Sequence, residues 1–423
     1  MKQRHILLLL LTSLSAITFL DRLCIAVAGP HIQDELGVSP ERWGWVLGAF
    51  ILSYGLFEIP TGALGDWSGQ RKVLTRIVLW WSFFTALTGF ARSFFPLVVI
   101  RFLFGAGEAG AYPNMAGVIA RWFPPHERAR AQGYVWGASR IGGALAPLLV
   151  VPIQTAFGWR ATFWIFGVVG VIWCAVWWRW YRDTPAEHPR MTAAELREIG
   201  VTQELGGHRA PWGLLWRSKQ LWTIMIMYGS YAWGSWFYYS WLHTYLVRGR
   251  DFSDSELAIF SALPFVLGAL ANIGGGYLSD IAIRKVGLRW GRAVVGSVSL
   301  GVAACLVAAT ALSTSKTSVI VLLTLGFGVM DLMLPSAWAI CLDIGGRHAG
   351  AVTGAMNTAG QLGGFVCTIV FGYIVGYFND YNAPLFVIAF MLLFSAVMFA
   401  LIDPTRPLWR EDAGGRASAH ESA

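Results

Sequence analysis

The stretch GALGDWSGQRK, residues 62–72, places three glycines and an acid ahead of a basic pair, and a related stretch, GYLSDIAIRK, residues 276–285, returns 214 residues later. Gly62, Asp66, Arg71 and Lys72 of the first copy correspond to Gly276, Asp280, Arg284 and Lys285 of the second. In each case the second helix of a half-chain ends on a basic turn. A repeat of half the chain built this way points to two related bundles of membrane helices.

Working outward, 56% of the 423 residues are hydrophobic, 13% are charged and 22 are tryptophan. Soluble chains average roughly 45–50% apolar and about 25% charged, so this is a membrane composition. At about 20 apolar residues per crossing, the length fits twelve spans. Apolar runs predict helices at 5–29, 43–64, 75–91, 97–120, 131–156 and 160–181. A second set follows at 219–247, 256–280, 293–313, 318–342, 350–377 and 382–402. The charged stretch beginning DTPAEHPRMTAAELREIG divides six from six. The expected organisation is an N-terminal six-helix bundle over 1–182, a cytoplasmic linker over 183–218, a C-terminal bundle over 219–402 and a cytoplasmic tail over 403–423. The fold class is therefore an all-α membrane protein of twelve transmembrane helices in two six-helix bundles.

Orientation follows from the basic residues. Of 32 Lys and Arg, 23 fall on the side of the termini and six on the opposite side, with three inside helices. The positive-inside rule then puts both termini in the cytoplasm, in a multi-pass protein of the plasma membrane, expected to be a bacterial inner membrane. MKQRHILLLLLTSL begins like a signal peptide, but the apolar run continues past Asp21 and Arg22 without a small-residue cleavage site, so it reads as a retained first helix. The net charge of +8 is spread along loops and makes no nucleic-acid surface. The five cysteines lie in apolar runs without zinc-like spacing, and no Walker A motif is present, so disulfides, metal, cofactor and ATP hydrolysis are not expected.

Ionisable groups inside hydrocarbon cost several kcal/mol unless paired, hydrated or neutralised, and by default they mark function. Seven stand out: Asp21 and Arg22 in the first helix, Glu58 in the second, Arg101 and Glu108 in the fourth, Arg140 in the fifth and Asp331 in the tenth. Arg101 and Glu108 are seven residues apart, which leaves them about 20° apart in azimuth and roughly 10 Å apart in height. They share a face. A guanidinium there can hold a substrate carboxylate through two parallel hydrogen bonds, and Arg101 is expected to hold Asp21 when no substrate is bound. Three arginines against four carboxylates give −1 when all are ionised and +1 after two protons bind. Asp21 and Glu108 are thus positioned to take protons as an anion displaces their partners.

Tyr54, Tyr239, Trp241, Ser336, Asn357 and Gln361 offer hydroxyl, amide and aromatic surfaces suited to a polyol chain. His243 reads as an interfacial histidine. Gly105, Gly107 and Gly110 match GxGxxG but lie within a membrane helix with no preceding strand, so a dinucleotide site is not expected. The GxxxG pairs Gly133/Gly137 and Gly360/Gly364 read as internal packing. Asp66 with Arg71, and Asp280 with Arg284, read as gating ion pairs at cytoplasmic helix ends.

The segments GALGDWSGQRK (62–72), RFLFGAGEAGAYPNM (101–115) and RWFPPHERARAQG (121–133) resemble the major facilitator superfamily. Asp21-Arg22, Tyr54 with Ile59-Pro60, the Arg101 to Glu108 segment and the stretch over 343–364 resemble its anion:cation symporter family, which includes proton-coupled permeases for galactonate, glucarate and hexuronates. That resemblance implies proton coupling through Asp21 and Glu108, and substrate binding or coupling through Arg22 and Arg101. Glu58 and Thr61 depart from the family motif, which usually reads Gln-Ile-Pro-Gly-Gly there. The expected function is uptake of a small organic anion, a sugar acid (hexonate, hexuronate or aldarate), by proton symport with alternating access, performed by a monomer in the lipid bilayer. A proton-antiporting drug exporter fits less well, because a cationic drug site favours carboxylates over arginines. An enzyme lacks a reactive constellation, and a sensor lacks an output domain.

Overall fold

The computed structural model describes residues 2–199, 212–345, 349–406, 408–411 and 417–419. The chain forms two compact units, one of Met1–Gly206 with Ser253–Ala262 and one of Gly207–Phe252 with Leu263–Ala423. Among the described residues its regular structure is helical apart from a short antiparallel ladder of Trp409–Glu411 on Ala417–Ala419 near the C-terminus.

In the first unit, α1 (Gln3–Val27) is followed by a short α2 (Gly29–Leu36), then α3 (Pro40–Ser68), α4 (Gln70–Thr88), α5 (Phe94–Glu108), α6 (Ala111–Trp122), α7 (Pro125–Phe157), α8 (Trp159–Trp180) and α9 (Ala193–Ile199). Local chemistry sets the boundaries. Pro40 occupies the first turn of α3 and Ser39 caps it by accepting from the Arg42 N–H, a combination that satisfies an orphan amide where proline is tolerated. In the second unit, α10 (Trp212–Leu215) precedes α11 (Lys219–Trp236). The helix then continues through π-helical turns at Phe237–Trp241 and Tyr245–Gly249, on either side of α12 (Leu242–Thr244). The short α13 (Asp254–Phe260), opened by a capping box of Ser253 and Glu256, clusters with the first unit. The second unit closes with α14 (Leu263–Leu312), bent at Gly287 where φ is +81°, then α15 (Lys316–Asp331), α16 (Leu334–Gly345), α17 (Ala349–Phe378) and α18 (Ala383–Leu401).

The twelve spans read from the sequence map onto these helices, and the repeat reappears in how they pack. In the first unit α1 packs on α7, α3 on α5 and α4 on α8, which are the first helix with the fifth, the second with the fourth and the third with the sixth. In the second unit α11 packs on α17 and the two halves of α14 on α15 and α18, the same scheme. Two glycines show how close the first–fifth pairs come. A Cβ on Gly142 of α7 would lie 2.2 Å from the Ala16 carbonyl oxygen of α1, and one on Gly363 of α17 would lie 2.1 Å from that of Gly229 on α11.

Eight helical stretches among the described residues are long and apolar enough to cross a membrane, and one of them, Asp254–Leu312, contains the bend at Gly287. The outer surface carries large apolar side chains such as Phe83, Val168, Leu270, Ile273 and Phe390, as expected where lipid replaces water. Several single runs in the sequence are interrupted. The fourth helix breaks between α5 and α6, and the tenth between α15 and α16. The region predicted to open the eighth helix at 256 instead forms the separate α13.

Candidate functional site

The break in the fourth helix positions its acid. Glu108 is the last residue of α5 because Ala109 is extended (ψ 139°) and Gly110 is left-handed (φ +85°). A side chain at Gly110 would be strained by that φ and would place its Cβ 2.4 Å from the Thr61 hydroxyl oxygen. Thr61 of α3 donates to the carbonyl of Ala109 (2.8 Å), which the break releases from the helix ladder. The Asn114 amide donates to the carbonyls of Gly110 (2.8 Å) and Thr61 (3.2 Å). These bonds fix the end of α5 against α3.

Arg22 of α1 reaches that end. Its Nε donates to Oε1 of Glu108 in a buried ion pair. The guanidinium carbon lies 4.4 Å from the centroid of the Tyr54 ring, with Phe19, Phe50 and Tyr112 at 5.2–5.9 Å. Tyr112 is itself fixed, stacked on Trp136 at 4.5 Å with its hydroxyl 3.0 Å from that of Ser15. An aromatic cage of this kind stabilises a cation by roughly 0.5–2 kcal/mol per favourable ring contact and leaves the guanidinium edge as the hydrogen-bonding surface.

Arg101 behaves differently. It is buried over Phe104 (4.4 Å) and Phe50 (5.1 Å), and its Nε meets no acceptor among the described residues. Asp21 is 2% exposed, has Arg101, Glu108 and Trp81 as neighbours, and neither carboxyl oxygen receives a hydrogen bond. Oε2 of Glu108 and Nη2 of Arg22 are also unbonded. The expectation that Arg101 holds Asp21 is therefore corrected: the pair that forms is Arg22 with Glu108. The two residues that share a face of α5 stand about two turns apart, too far for an ion pair along the helix, whereas α1 supplies a guanidinium at the level of Glu108. Buried polar groups normally have partners. The set of two arginines and two carboxylates is neutral when all four are ionised, and it leaves bonding positions open. Of the remaining charges in this unit, Glu58 is half-buried within electrostatic reach of Tyr54, and Arg140 is half-buried on α7.

In the second unit Asp331 holds the place that Glu108 holds in the first, as the last residue before the break in the fourth helix of its repeat. It is fully buried, with Tyr231 donating to Oδ1 (3.1 Å) and Asn272 to Oδ2 (3.0 Å). Tyr239 packs on Phe265 and Phe327. Trp241 is sealed in the core, stacked on Phe371 at 4.6 Å with its N–H donated to the Thr368 carbonyl (3.0 Å). Ser336 Oγ and Gln361 Oε1 are buried without hydrogen-bond partners, and Asn357 is half-buried. His243 is not interfacial: it is fully buried between the two π-helical turns, with neither ring nitrogen bonded. π-helical turns of this kind are rare in helices and often lie at functional sites.

Of the two helix-end pairs expected, the one in the second unit does not form. Asp280 and Arg284 are both exposed and form no ion pair with each other. An exposed i,i+4 pair contributes only about 0.3–0.5 kcal/mol, too little to hold two hydrated side chains together. Arg71 donates to the Trp178 carbonyl through Nε (3.1 Å), and its backbone N–H donates to Asp183 (3.0 Å). The Asp66 side chain lies outside the described residues. Gly360 and Gly364 do pack internally, against Tyr228 and Trp236, but Gly133 and Gly137 are exposed with no atom near a Cβ position, which corrects the packing reading for that pair. Among the described residues no His, Cys, Asp and Glu side chains converge to hold a metal ion.

The sequence reading missed Phe19, Phe50 and Tyr112 as the walls around Arg22, and Asn114 as the brace of the break. A signal for two of these was present, since Tyr112 and Asn114 follow Gly110 directly in GAYPNM.

Comparisons with known proteins agree with this architecture. The family description Major Facilitator Superfamily matches residues 11–368. The chain is 35% identical over 408 residues to a probable sulfoacetate transporter of Cupriavidus necator, covering 95% of this chain and 94% of that protein. It is 26% identical over 420 residues to a hexuronate transporter of Bacillus subtilis, covering 98% of each. A crystal structure of a bacterial homolog to the human lysosomal transporter Spinster superposes with a TM-score of 0.80 at 20% identity, over 95% of this chain and 97% of that one. The chain belongs to the Major Facilitator Superfamily and is a multi-pass membrane transporter rather than an enzyme.

Proposed function

We propose that the protein takes up a small organic anion, a sugar acid of the hexuronate, hexonate or aldarate class, by proton symport with alternating access. In this reading it works as a monomer in a bacterial inner membrane with both termini cytoplasmic. The observation that carries the proposal is the buried set of Arg22, Glu108, Arg101 and Asp21, in which one ion pair is made while Nη2 of Arg22, Nε of Arg101, Oε2 of Glu108 and both Asp21 oxygens have no hydrogen-bond partner. The set is neutral when ionised. A substrate carboxylate that takes Arg22 from Glu108, or engages Arg101, adds one negative charge in a place where an unpaired charge costs several kcal/mol. A proton on Glu108 or Asp21 restores neutrality, so anion and proton enter together. Both termini lie on the basic side of the membrane by the count of loop charges, which supports the orientation. In the second unit, Ser336 and Gln361 remain candidates for substrate hydroxyls because their oxygens are buried without hydrogen-bond partners.

One observation favours a second reading of the substrate. Two guanidiniums near each other suit a short dianion carrying two acidic groups, and the relative at 35% identity is named for sulfoacetate. A thermal-shift screen of the purified protein separates these readings. Glucuronate, galactonate, glucarate, sulfoacetate, phosphate and cationic drugs are the arms, and stabilisation grows with ligand above its dissociation constant. Stabilisation by a sugar acid supports the first reading, and by sulfoacetate alone the second. A cationic drug as the sole hit contradicts both.

A further inference from the structure

Between α4 and α8, on the outside of the first unit, runs a groove of about 720 Å³ whose lining includes Lys72, Arg76, Trp80, Phe83 and Trp178. The four residues from α4 follow one another at intervals of three or four and are all exposed, so they form one stripe. Trp178 stands opposite, near the end of α8 that lies beside the start of α4, where Arg71 covers its ring at 4.3 Å. Trp80 is anchored by its indole N–H to the Leu103 carbonyl (2.8 Å). The groove therefore has a basic rim at the α4 N-terminus and aromatic walls along the rest of its length.

Among the described residues no carboxylate pairs with the two cations of that rim. Neither Lys72 nor Arg76 has a carboxylate within ion-pair distance among the described residues, and the first turn of α4 holds no acid. Asp183 lies at this helix start, but it accepts from the Arg71 N–H (3.0 Å) and faces Arg121 (3.9 Å). The amide end of a helix is itself positive, so two cations in its first turns oppose the macrodipole unless an anion is present. In a multi-pass membrane protein the aromatic part of such a groove meets acyl chains, while long basic side chains reach the headgroup level.

We propose that this groove binds an anionic phospholipid, with the phosphate diester between Lys72 and Arg76 beside Trp178 and an acyl chain along Trp80 and Phe83. The inference requires membrane insertion alone and is independent of the transport reaction proposed above.

The test uses the full-length protein in detergent, titrated with phosphatidylglycerol, phosphatidylcholine or inorganic phosphate and read by native mass spectrometry and thermal stability. The expected result is retention of phosphatidylglycerol and a raised Tm, neither reproduced by phosphatidylcholine or phosphate. The double variant Lys72→Gln/Arg76→Gln should lower the apparent lipid affinity by about tenfold or more. Phe83→Ala, which keeps both charges, should also weaken it. Equal stabilisation by phosphatidylcholine would overturn the proposal in favour of a general acyl-chain contact. An equal effect of free phosphate, or unchanged phosphatidylglycerol binding by the double variant, would also overturn it. So would a wild-type dimer broken by the double variant, since a second copy would then cover the groove.

Discussion

Arg22 and Glu108, 86 positions apart in sequence, form one buried ion pair between α1 and α5, while Arg101, on the same helical face as Glu108, lies over two phenylalanine rings instead. The acid is thus held by the arginine of another helix and not by the one on its own. Removing one member of a buried pair typically costs about 3–5 kcal/mol, because the other is left as an uncompensated charge. Arg22→Ala should therefore lower the thermal unfolding temperature clearly, and Arg22→Ala combined with Glu108→Gln should recover part of the loss. A double variant no more stable than Arg22→Ala would show that the pair is not what fixes α1 to α5.

Arg101→Lys keeps the charge but loses the planar fork that matches a carboxylate. Losing one or two charge-assisted hydrogen bonds at ~1.5–3 kcal/mol each should weaken binding of the acidic substrate by tenfold or more in a calorimetric titration. The matching uncharged sugar should bind poorly to wild type and variant alike. Unchanged affinity in Arg101→Lys would assign Arg101 to packing on Phe104 and leave Arg22 as the carboxylate ligand.

Gly110→Ala forces a side chain into a left-handed position and against Thr61. Strain at such a site costs of order 1–3 kcal/mol, so a reduced unfolding temperature and lower expression are expected. Thr61→Val removes the hydrogen bond to the Ala109 carbonyl and should cost about 1 kcal/mol. Both changes should weaken substrate binding, since both loosen the helix end that carries Glu108. An effect on stability with no effect on binding would uncouple the break from the site.

At the end of α2, Arg160 and the Trp159 indole N–H (2.6 Å) hold the Glu35 carboxyl below its ordinary value of 4.5. A carboxyl whose folded pKa lies below its unfolded one adds stability that is complete above about pH 4.5 and is lost as pH falls through the folded value. Glu35→Gln should therefore be less stable than wild type at pH 7, and the difference should shrink below pH 4. Unfolding temperatures of both proteins across that range measure it. A constant difference would mean that Glu35 acts by shape and not by charge.

Periodicity and composition made the twelve helices, the two related halves and the shared face of Arg101 and Glu108 legible in the sequence. They did so because each is a property of one helix or of a repeat. The partner of Glu108 was not legible, because helical phase within α5 says nothing about which residue of α1 meets it. Nor were the breaks after Glu108 and Asp331, the first of which is braced by hydrogen bonds from Thr61 and Asn114. His243 looked interfacial since its neighbours are aromatic. It is in fact fully buried, in the short α-helical turn between two π-helical segments. Trp241 offered an aromatic face on paper, and the fold uses that face against Phe371.

The most direct measurement is proton flux in proteoliposomes loaded with a pH-sensitive dye, with the anion identified by the thermal-shift screen added outside. Substrate addition should acidify the lumen as the anion accumulates, and an imposed inward proton gradient should drive accumulation above equilibrium. Asp21→Asn and Glu108→Gln should abolish both effects while leaving counterflow exchange of labelled for unlabelled anion. Accumulation of the anion without proton movement, or full gradient-driven accumulation by both variants, would contradict a symport mechanism centred on these two acids.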